Sequence, residues 1–265
     1  MRQTNNNDTT FAVYLSGDEI GVDMLVTIIT VCYNSEKTIA QTIESVLHQT
    51  YSDIEYLIID GKSSDNTMKI VENYRMAFGA RMRVVSEPDN GIYDAMNKGI
   101  RMASGDLIGI INSDDFYEQD AVEKIVRSYR KDMCAVLYGA VRNLVDDREE
   151  SVSILSHEFL DRRMIGHPAC FITKSAYDRY GLYDTKYCSV ADYDLMLRYR
   201  NSGGVEFVPV YEIIANFRSG GMCSSQRAYF DLLNLQRDYS MIGKRQCRVA
   251  KMKAKLSGLL HFPKR

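Results

Sequence analysis

Val26-Thr27-Ile28-Ile29-Thr30-Val31-Cys32-Tyr33-Asn34 is the stretch that decides the fold. Every residue from Val26 to Val31 is β-branched, and side chains stiff at χ1 favour extended backbone. The run does not alternate between apolar and charged positions, so it predicts a strand buried on both faces, as in a parallel sheet. Asn34 and Ser35 follow as turn and N-cap residues. Ile39, Ile43, Val46 and Leu47 then recur at helical spacing, and Ile54–Ile59 is a second buried strand that ends at Asp60-Gly61. A strand, a helix and another strand of this kind form a crossover unit, which pairs the strands in parallel.

The alternation continues outward from there. Asp65 or Asn66 caps a helix whose apolar stripe is Met68, Val71 and Tyr74. Met82–Val85 reads as a strand, and Ile92–Ala103 as a helix with Met96, Gly99 and Ile100 on one side. Leu107–Ile111 is a strand stopped by Asn112-Ser113-Asp114-Asp115, followed by a helix over Glu118–Arg130 and a strand over Ala135–Val141. The expected architecture is α/β: a mostly parallel sheet with helices on both faces. The second half is less regular. Cys170–Thr173, Val205–Val208 and Glu212–Phe217 read as strands, and Ala191–Arg200 as a helix opening at Asp192. Ser219-Gly220-Gly221 reads as a flexible loop, and from Gln226 onward the pattern is helical and increasingly basic. The division expected is an extension over 1–23 that is dispensable for folding, one catalytic domain over 24–224, and a C-terminal helical basic extension over 225–265.

The formal net charge of −2 gives no global attraction to nucleic acid, which is not expected as a partner. The average hides an asymmetry. Between Met241 and Arg265 there is no Asp or Glu, while Lys244, Arg245, Arg248, Lys251, Lys253, Lys255, Lys264 and Arg265 all fall there. Val249, Met252, Leu256 and Leu259 recur beside them at helical spacing. An apolar stripe flanked by cations predicts contact of residues 244–265 with an anionic membrane surface; the competing arrangement packs the stripe on the catalytic domain. No apolar run reaches the ~18 residues needed to span a bilayer, and Met1–Thr10 is too polar for a secretory signal. The six cysteines form no C-x-x-C pair, and free thiols fit a reducing compartment. A cytoplasmic protein, peripheral on the inner face of the plasma membrane, is expected.

In open parallel sheets, ligands bind beyond the carboxyl ends of the strands. Polar groups gather there: Tyr33-Asn34, Asp60, Glu87-Pro88-Asp89-Asn90-Gly91 and Asn112-Ser113-Asp114-Asp115. Adjacent carboxylates resist ionising together unless a cation sits between them. Asp114 and Asp115 are therefore either a hard-metal site for Mn²⁺ or Mg²⁺ or simply the end of a strand and the cap of the next helix. The absence of G-x-G-x-x-G after the first strand, and of G-x-x-x-x-G-K-[ST], excludes dinucleotide dehydrogenases and P-loop enzymes.

The segments Val26–Asn34, Glu55–Thr67, Glu87–Ile100, Asn112–Asp115 and Gly181–Asp184 with Ala191–Leu195 occur in the order found in the family-two inverting glycosyltransferases, and the chain resembles their bacterial polysaccharide-building branch from about Val26 to about Gly221. The resemblance implies the GT-A fold, a nucleotide-sugar donor (a UDP-activated hexose or N-acetylhexosamine), and a saccharide or lipid-linked saccharide acceptor in cell-surface polysaccharide assembly. It implies that Asp60 accepts from the uracil imide, that Val31 and Tyr33 line the base pocket, and that Asp89, Ser113 and Asp114 lie on the nucleotide. Asp114 and Asp115 would hold the metal, and Asp192 would be the general base. The chain departs from the family pattern at Asn112, where the metal motif usually starts with Asp, and at Gly61, where a second Asp is common. His167 is either a loop histidine or an acceptor contact. Arg218 is either a phosphate partner on a closing loop or part of a solvated turn. Two other classes compete: a sugar nucleotidyltransferase, which would want a glycine-rich basic segment after the first strand, and a non-catalytic binding protein of the same fold, which Asp114, Asp115 and Asp192 oppose.

Overall fold

The computed structural model describes residues 24–219 and 226–258, the side chains of 256–258 excepted. The expected extension over 1–23, Gly220-Gly221 of the expected loop, Cys223, and Leu259 of the apolar stripe lie outside the described residues. The first half is the expected crossover series: β1 (Val26–Cys32), α1 (Ile39–Leu47), β2 (Ile54–Asp60), α2 (Thr67–Phe78), β3 (Met82–Ser86), α3 (Ile92–Met102) and β4 (Leu107–Ile110). Their pairing is parallel in the order β3-β2-β1-β4. The registers Cys32↔Asp60 and Asp60↔Ser86 bring the carboxyl ends of three strands level, so the polar residues after them share one edge.

Successive residues of β1 and β2 point to opposite faces, and each face is buried under helices. Val26, Ile28, Ile54, Tyr56 and Ile58 pack with apolar residues of α1 and α2. Ile29, Val31, Leu57 and Ile59 pack with α3 and the later helices. Gly99 of α3 lies directly on β1: a Cβ there would stand 2.6 Å from Ile29 Cγ2. The missing side chain is what lets this helix sit so close to the sheet.

The second half adds β5 (Phe116–Tyr117), α4 (Ala121–Val126), β6 (Ala135–Val145), β7 (Arg148–Ser153), β8 (Cys170–Thr173), α5 (Lys174–Tyr180), α6 (Ala191–Ser202), β9 (Glu206–Arg218), α7 (Gln226–Asp238) and α8 (Lys244–Gly258). Here the sheet becomes mixed and continues β4-β8-β6-β9-β5, with β7 on β6. β8 is antiparallel to both β4 and β6, whereas β9 runs parallel to β6.

Several local differences from the sequence reading have physical causes. The two strands expected around 205–217 are one strand. It carries Pro209, which lacks a ladder donor, and is matched by register shifts around Ala140 in β6. Gly139 permits that irregularity, since a Cβ there would meet Ile214 Cγ1 at 2.2 Å. The helix expected over Glu118–Arg130 shortens to Ala121–Val126; its start is delayed because Glu118 N–H pairs with Ile214 O of β9. β7 is exposed along its length and has no apolar alternation to announce it. It is created by a two-residue hairpin in which Asp146 and Asp147 both take positive φ (50° and 58°). All cysteines among the described residues are free.

Candidate active site

Two groups of residues face each other across α3. The donor-side group is built by the loops after β1, β2, β3 and β4. Asn34, held at φ 51°, accepts from Ser64 N–H at 2.8 Å, and its own N–H donates to Ser63 Oγ at 2.8 Å. Ser35 N–H donates to Thr67 Oγ1, and the Ser35 and Ser113 hydroxyls are 2.7 Å apart. These bonds lock the loops to one another and fix where Tyr33 and Asp114 emerge.

Tyr33 is 64% exposed and presents its ring at this edge. Val31 is 4% exposed and belongs to the core, so only its backbone can face a base. Asp60 is fully buried: its carboxylate takes Ser63 N–H, Ser63 Oγ at 2.5 Å and Ser86 Oγ at 2.6 Å. It therefore braces the turn after β2. Gly61 lies in the same turn, where a Cβ would stand 3.1 Å from Asp89 Oδ2 and 3.4 Å from the Tyr33 ring. A second aspartate at that position would crowd the Asp89 carboxylate, which accounts for the departure at Gly61. Asp89 is held by Lys98 Nζ at 2.5 Å, and the same ammonium takes Glu87 at 3.0 Å.

Asp114 and Asp115 follow β4 and differ sharply in environment. Asp114 is part-exposed, whereas Asp115 is fully buried. Asp115 Oδ1 accepts from Arg218 N–H at 2.9 Å, and its backbone carbonyl accepts from Thr42 Oγ1 at 2.6 Å. Burial, and then the neighbouring Asp114 charge, push the Asp115 carboxyl up to about 8, against the pull of the Arg218 N–H and guanidinium. Asp115 Oδ2 and Asn112 Oδ1 are buried without a hydrogen-bond partner. Among the described residues no cluster of three or more His, Cys, Asp or Glu is gathered for a metal. What this corner offers is hard oxygen donors, the part-exposed Asp114 carboxylate in front of the unpartnered Asn112 and Asp115 oxygens, a set that fits Mg²⁺ or Mn²⁺ completed by substrate oxygens.

Arg218 ends β9 against this corner. Its Nε pairs with Asp147 at 2.8 Å, one terminal nitrogen donates to the Asp114 carbonyl at 2.7 Å, and the other to Gln41 Oε1. The guanidinium also lies 5.0 Å from the centroid of the Phe116 ring. All three nitrogens engage the protein, so Arg218 clamps the acidic corner in place.

The acceptor-side group centres on Asp192, the second residue of α6. It is not the N-cap, which is Val190. Asp192 Oδ1 accepts from Tyr93 Oη at 2.8 Å and from Tyr193 N–H at 2.9 Å, while Oδ2 has no hydrogen-bond partner among the described residues. The Tyr93 ring packs on Tyr183 at 5.4 Å, and His167 Nε2 lies 2.9 Å from Tyr183 Oη. Burial lowers the His167 pKa, partly offset by the Asp192 charge, so this imidazole is neutral near pH 7. Asp194 turns away to Arg198 Nε at 2.8 Å and Tyr239 Oη at 2.9 Å, and braces the helix start.

α3 joins the two groups. Its N-terminus continues the Asp89 loop, Tyr93 holds Asp192, and the Asn97 amide both donates to and accepts from the Tyr183 backbone at 2.9 and 3.0 Å. Tyr93, Asn97 and Lys98 were not singled out in the sequence. Their spacing along an amphipathic helix was the only available signal, and the apolar stripe of Met96, Gly99 and Ile100 masked it.

The family model "Glycosyl transferase family 2" matches residues 27–187. The chain belongs to glycosyl transferase family 2. The match stops short of Asp192. Among curated family 2 relatives, the chain is similar to a chondroitin synthase of Escherichia coli, 35% identical over 187 residues, covering 68% of this chain and 27% of that protein. It thus spans about a quarter of that relative's length. Among solved structures, S. aureus TarS 1-349 in complex with UDP-GlcNAc aligns at TM-score 0.65 and 17% identity, covering 88% of this chain and 73% of that one. The mannosyltransferase PcManGT from Pyrobaculum calidifontis, in complex with GDP-Man and Mn²⁺, aligns at TM-score 0.62 and 15% identity, covering 89% and 70%. Both likenesses establish that this family 2 chain has the GT-A-like fold.

The raised Asp115 pKa has a consequence for stability. The folded chain keeps this proton to higher pH than the unfolded chain, whose aspartate titrates at the ordinary 3.8. Stability is therefore fully present below that value and is lost as pH rises toward about 8. Asp115→Asn retains an acceptor for Arg218 N–H and has no proton to lose. Its melting temperature is expected to fall less than that of the wild type between pH 5 and pH 8, which lies within the interval from 3.8 to about 8 over which the wild-type proton is lost. Parallel pH curves for the two proteins would contradict this.

Proposed function

We propose that the chain transfers a sugar from a UDP-sugar to an acceptor hydroxyl with inversion at the anomeric carbon. The observation that carries this reading is the Asp192 carboxylate, with one oxygen fixed by Tyr93 and the other unengaged, on the helix start that α3 ties to the donor-side loops. Asp192 Oδ2 removes the acceptor hydroxyl proton as that oxygen bonds to the anomeric carbon. The bond to the UDP oxygen breaks, and the electron pair leaves with the diphosphate. A divalent cation, when bound, neutralises that charge; Asp114, with Asn112 and Asp115 behind it, is the group to hold it. Tyr33, Ser113, Asp60 at the turn after β2 and Asp89 in the loop after β3 form the nucleotide side. His167, through Tyr183, supports the wall behind Asp192, facing the acceptor.

A chondroitin synthase among the relatives and UDP-GlcNAc in the TarS complex support a hexose or N-acetylhexosamine donor; the acceptor proposed with it is a saccharide or lipid-linked saccharide in bacterial surface polysaccharide assembly. A panel of UDP- and GDP-sugars, assayed for nucleoside diphosphate release with and without Mn²⁺, tests the reading. Release from no donor, with any acceptor, would overturn it.

Tyr93 is a positioning residue in this scheme. Tyr93→Phe removes a hydrogen bond to a carboxylate, worth about 1.5–3 kcal/mol, so kcat is expected to fall by roughly tenfold or more with donor affinity unchanged. The lower kcat at unchanged nucleoside diphosphate affinity and melting temperature is a split that a purely structural role would not produce.

A further inference from the structure

The C-terminal hairpin is tied to the acceptor side of the molecule. α7 buries Ala228, Leu233 and Leu235. Its Asp231 accepts from Cys188 N–H and Ser189 Oγ, both at 3.1 Å, and Asp238 accepts from Tyr187 Oη at 2.9 Å. Tyr239, just beyond α7, holds Asp194 at 2.9 Å. These bonds fall on residues 187–194, the segment that enters α6 and carries Asp192.

α8 packs on α7 through one face. Cys247 is buried with its thiol on Leu233 O at 3.4 Å, Lys251 Nζ donates to Asn234 Oδ1 at 2.5 Å, and Ala254 O accepts from Gln226 Nε2 at 3.2 Å. Val249 and Met252 of the expected stripe are on the reverse face. Val249 is 39% exposed and Met252 61% exposed, so these two residues do not pack on the catalytic domain. At ~100° per residue, Arg245 falls between them, Arg248 and Lys255 flank one side, and Lys253 the other. All four cations are exposed. A shallow depression on this face is lined by Gly243, Arg245, Gln246, Val249, Ala250 and Lys253. No acidic residue interrupts the cationic rim from Met241 onward. Among the described residues no helix is long and apolar enough to cross a membrane.

We propose that the outward face of α8 docks on an anionic lipid surface, with Val249 and Met252 entering the headgroup boundary and the surrounding Lys and Arg side chains on lipid phosphates. An apolar centre within an all-cationic rim is complementary to that surface. A nucleic acid or other soluble polyanion would use the cations and leave Val249 and Met252 idle. Docking through α8 puts the entry to α6 one helix, α7, away from the lipid. The docking does not depend on which sugar is transferred.

The test is co-sedimentation of the full chain with vesicles of phosphatidylcholine alone or mixed with phosphatidylglycerol, using wild type, V249D/M252D, and R248E/K253E/K255E. The substituted side chains are exposed, so both variants are expected to keep the wild-type melting temperature and nucleoside diphosphate binding. Wild type is expected to bind mixed vesicles at least roughly tenfold more tightly than neutral ones, and each variant to lose at least tenfold. Equal binding to neutral and mixed vesicles, binding to neither, or a V249D/M252D variant that binds as well as wild type would overturn the proposal; the last result would point to simple polyanion binding.

Discussion

Asp192→Asn is expected to leave donor binding within about twofold of wild type and to cut sugar transfer by at least roughly a hundredfold, the scale of a lost general base. The substitution is nearly isosteric. An asparagine Oδ1 still accepts from Tyr93 Oη and from Tyr193 N–H, so the start of α6 is not disturbed. What is lost is the capacity of the second oxygen to take a proton. The effect is therefore expected in kcat, with the nucleoside diphosphate affinity serving as the control for folding. Normal turnover with the physiological acceptor would remove Asp192 from the mechanism. A collapse of donor binding would instead mean that the α6 start supports the donor loops through α3, and that the loss of transfer is indirect.

The parts of the molecule legible from sequence are those where one local signal suffices. The β-branched run at Val26–Val31 and the apolar run at Ile54–Ile59 each specify a strand buried on both sides, and their polar terminators mark the ligand edge without any knowledge of tertiary contacts. The second half was harder because its strands are defined by partners. β7 exists only because Asp146 and Asp147 turn the chain back on β6, and the single long β9 depends on register shifts opposite Gly139. The site shows the same division. Asp114, Asp115 and Asp192 announce themselves by position, but what separates Asp114 from Asp115 is burial beneath β9, whose Arg218, over a hundred residues away, gives its N–H to the Asp115 carboxylate and its guanidinium to the Asp114 carbonyl. Tyr93 reaches Asp192 across 99 positions. No spacing rule along one helix predicts such a bond.

That asymmetry decides which carboxylate to remove. Asp114→Ala is expected to weaken nucleoside diphosphate binding in Mn²⁺ by roughly a hundredfold, since a cation on the diphosphate supplies several kcal/mol and each 1.4 kcal/mol is about tenfold. The side chain is part-exposed, and its neighbours in the structure hold its backbone carbonyl rather than its carboxylate, so the fold should be spared. Asp115→Ala is a different experiment. It removes the acceptor of Arg218 N–H from a fully buried position, leaving a donor unsatisfied at about 1–3 kcal/mol. It should lower the melting temperature whether or not a metal is ever bound. Comparing the two separates ligation from architecture: Asp114→Ala should melt like wild type and respond no further to EDTA, whereas Asp115→Ala should melt early and still show a difference between Mn²⁺ and EDTA in whatever fraction remains folded. If wild type binds and turns over donor equally well in excess EDTA, the acidic corner has no catalytic cation, and Asp114 must then act directly on the ribose or the diphosphate-bound water. In that case the fully buried Asp115, protonated near neutral pH, would be an anchor for β9 alone.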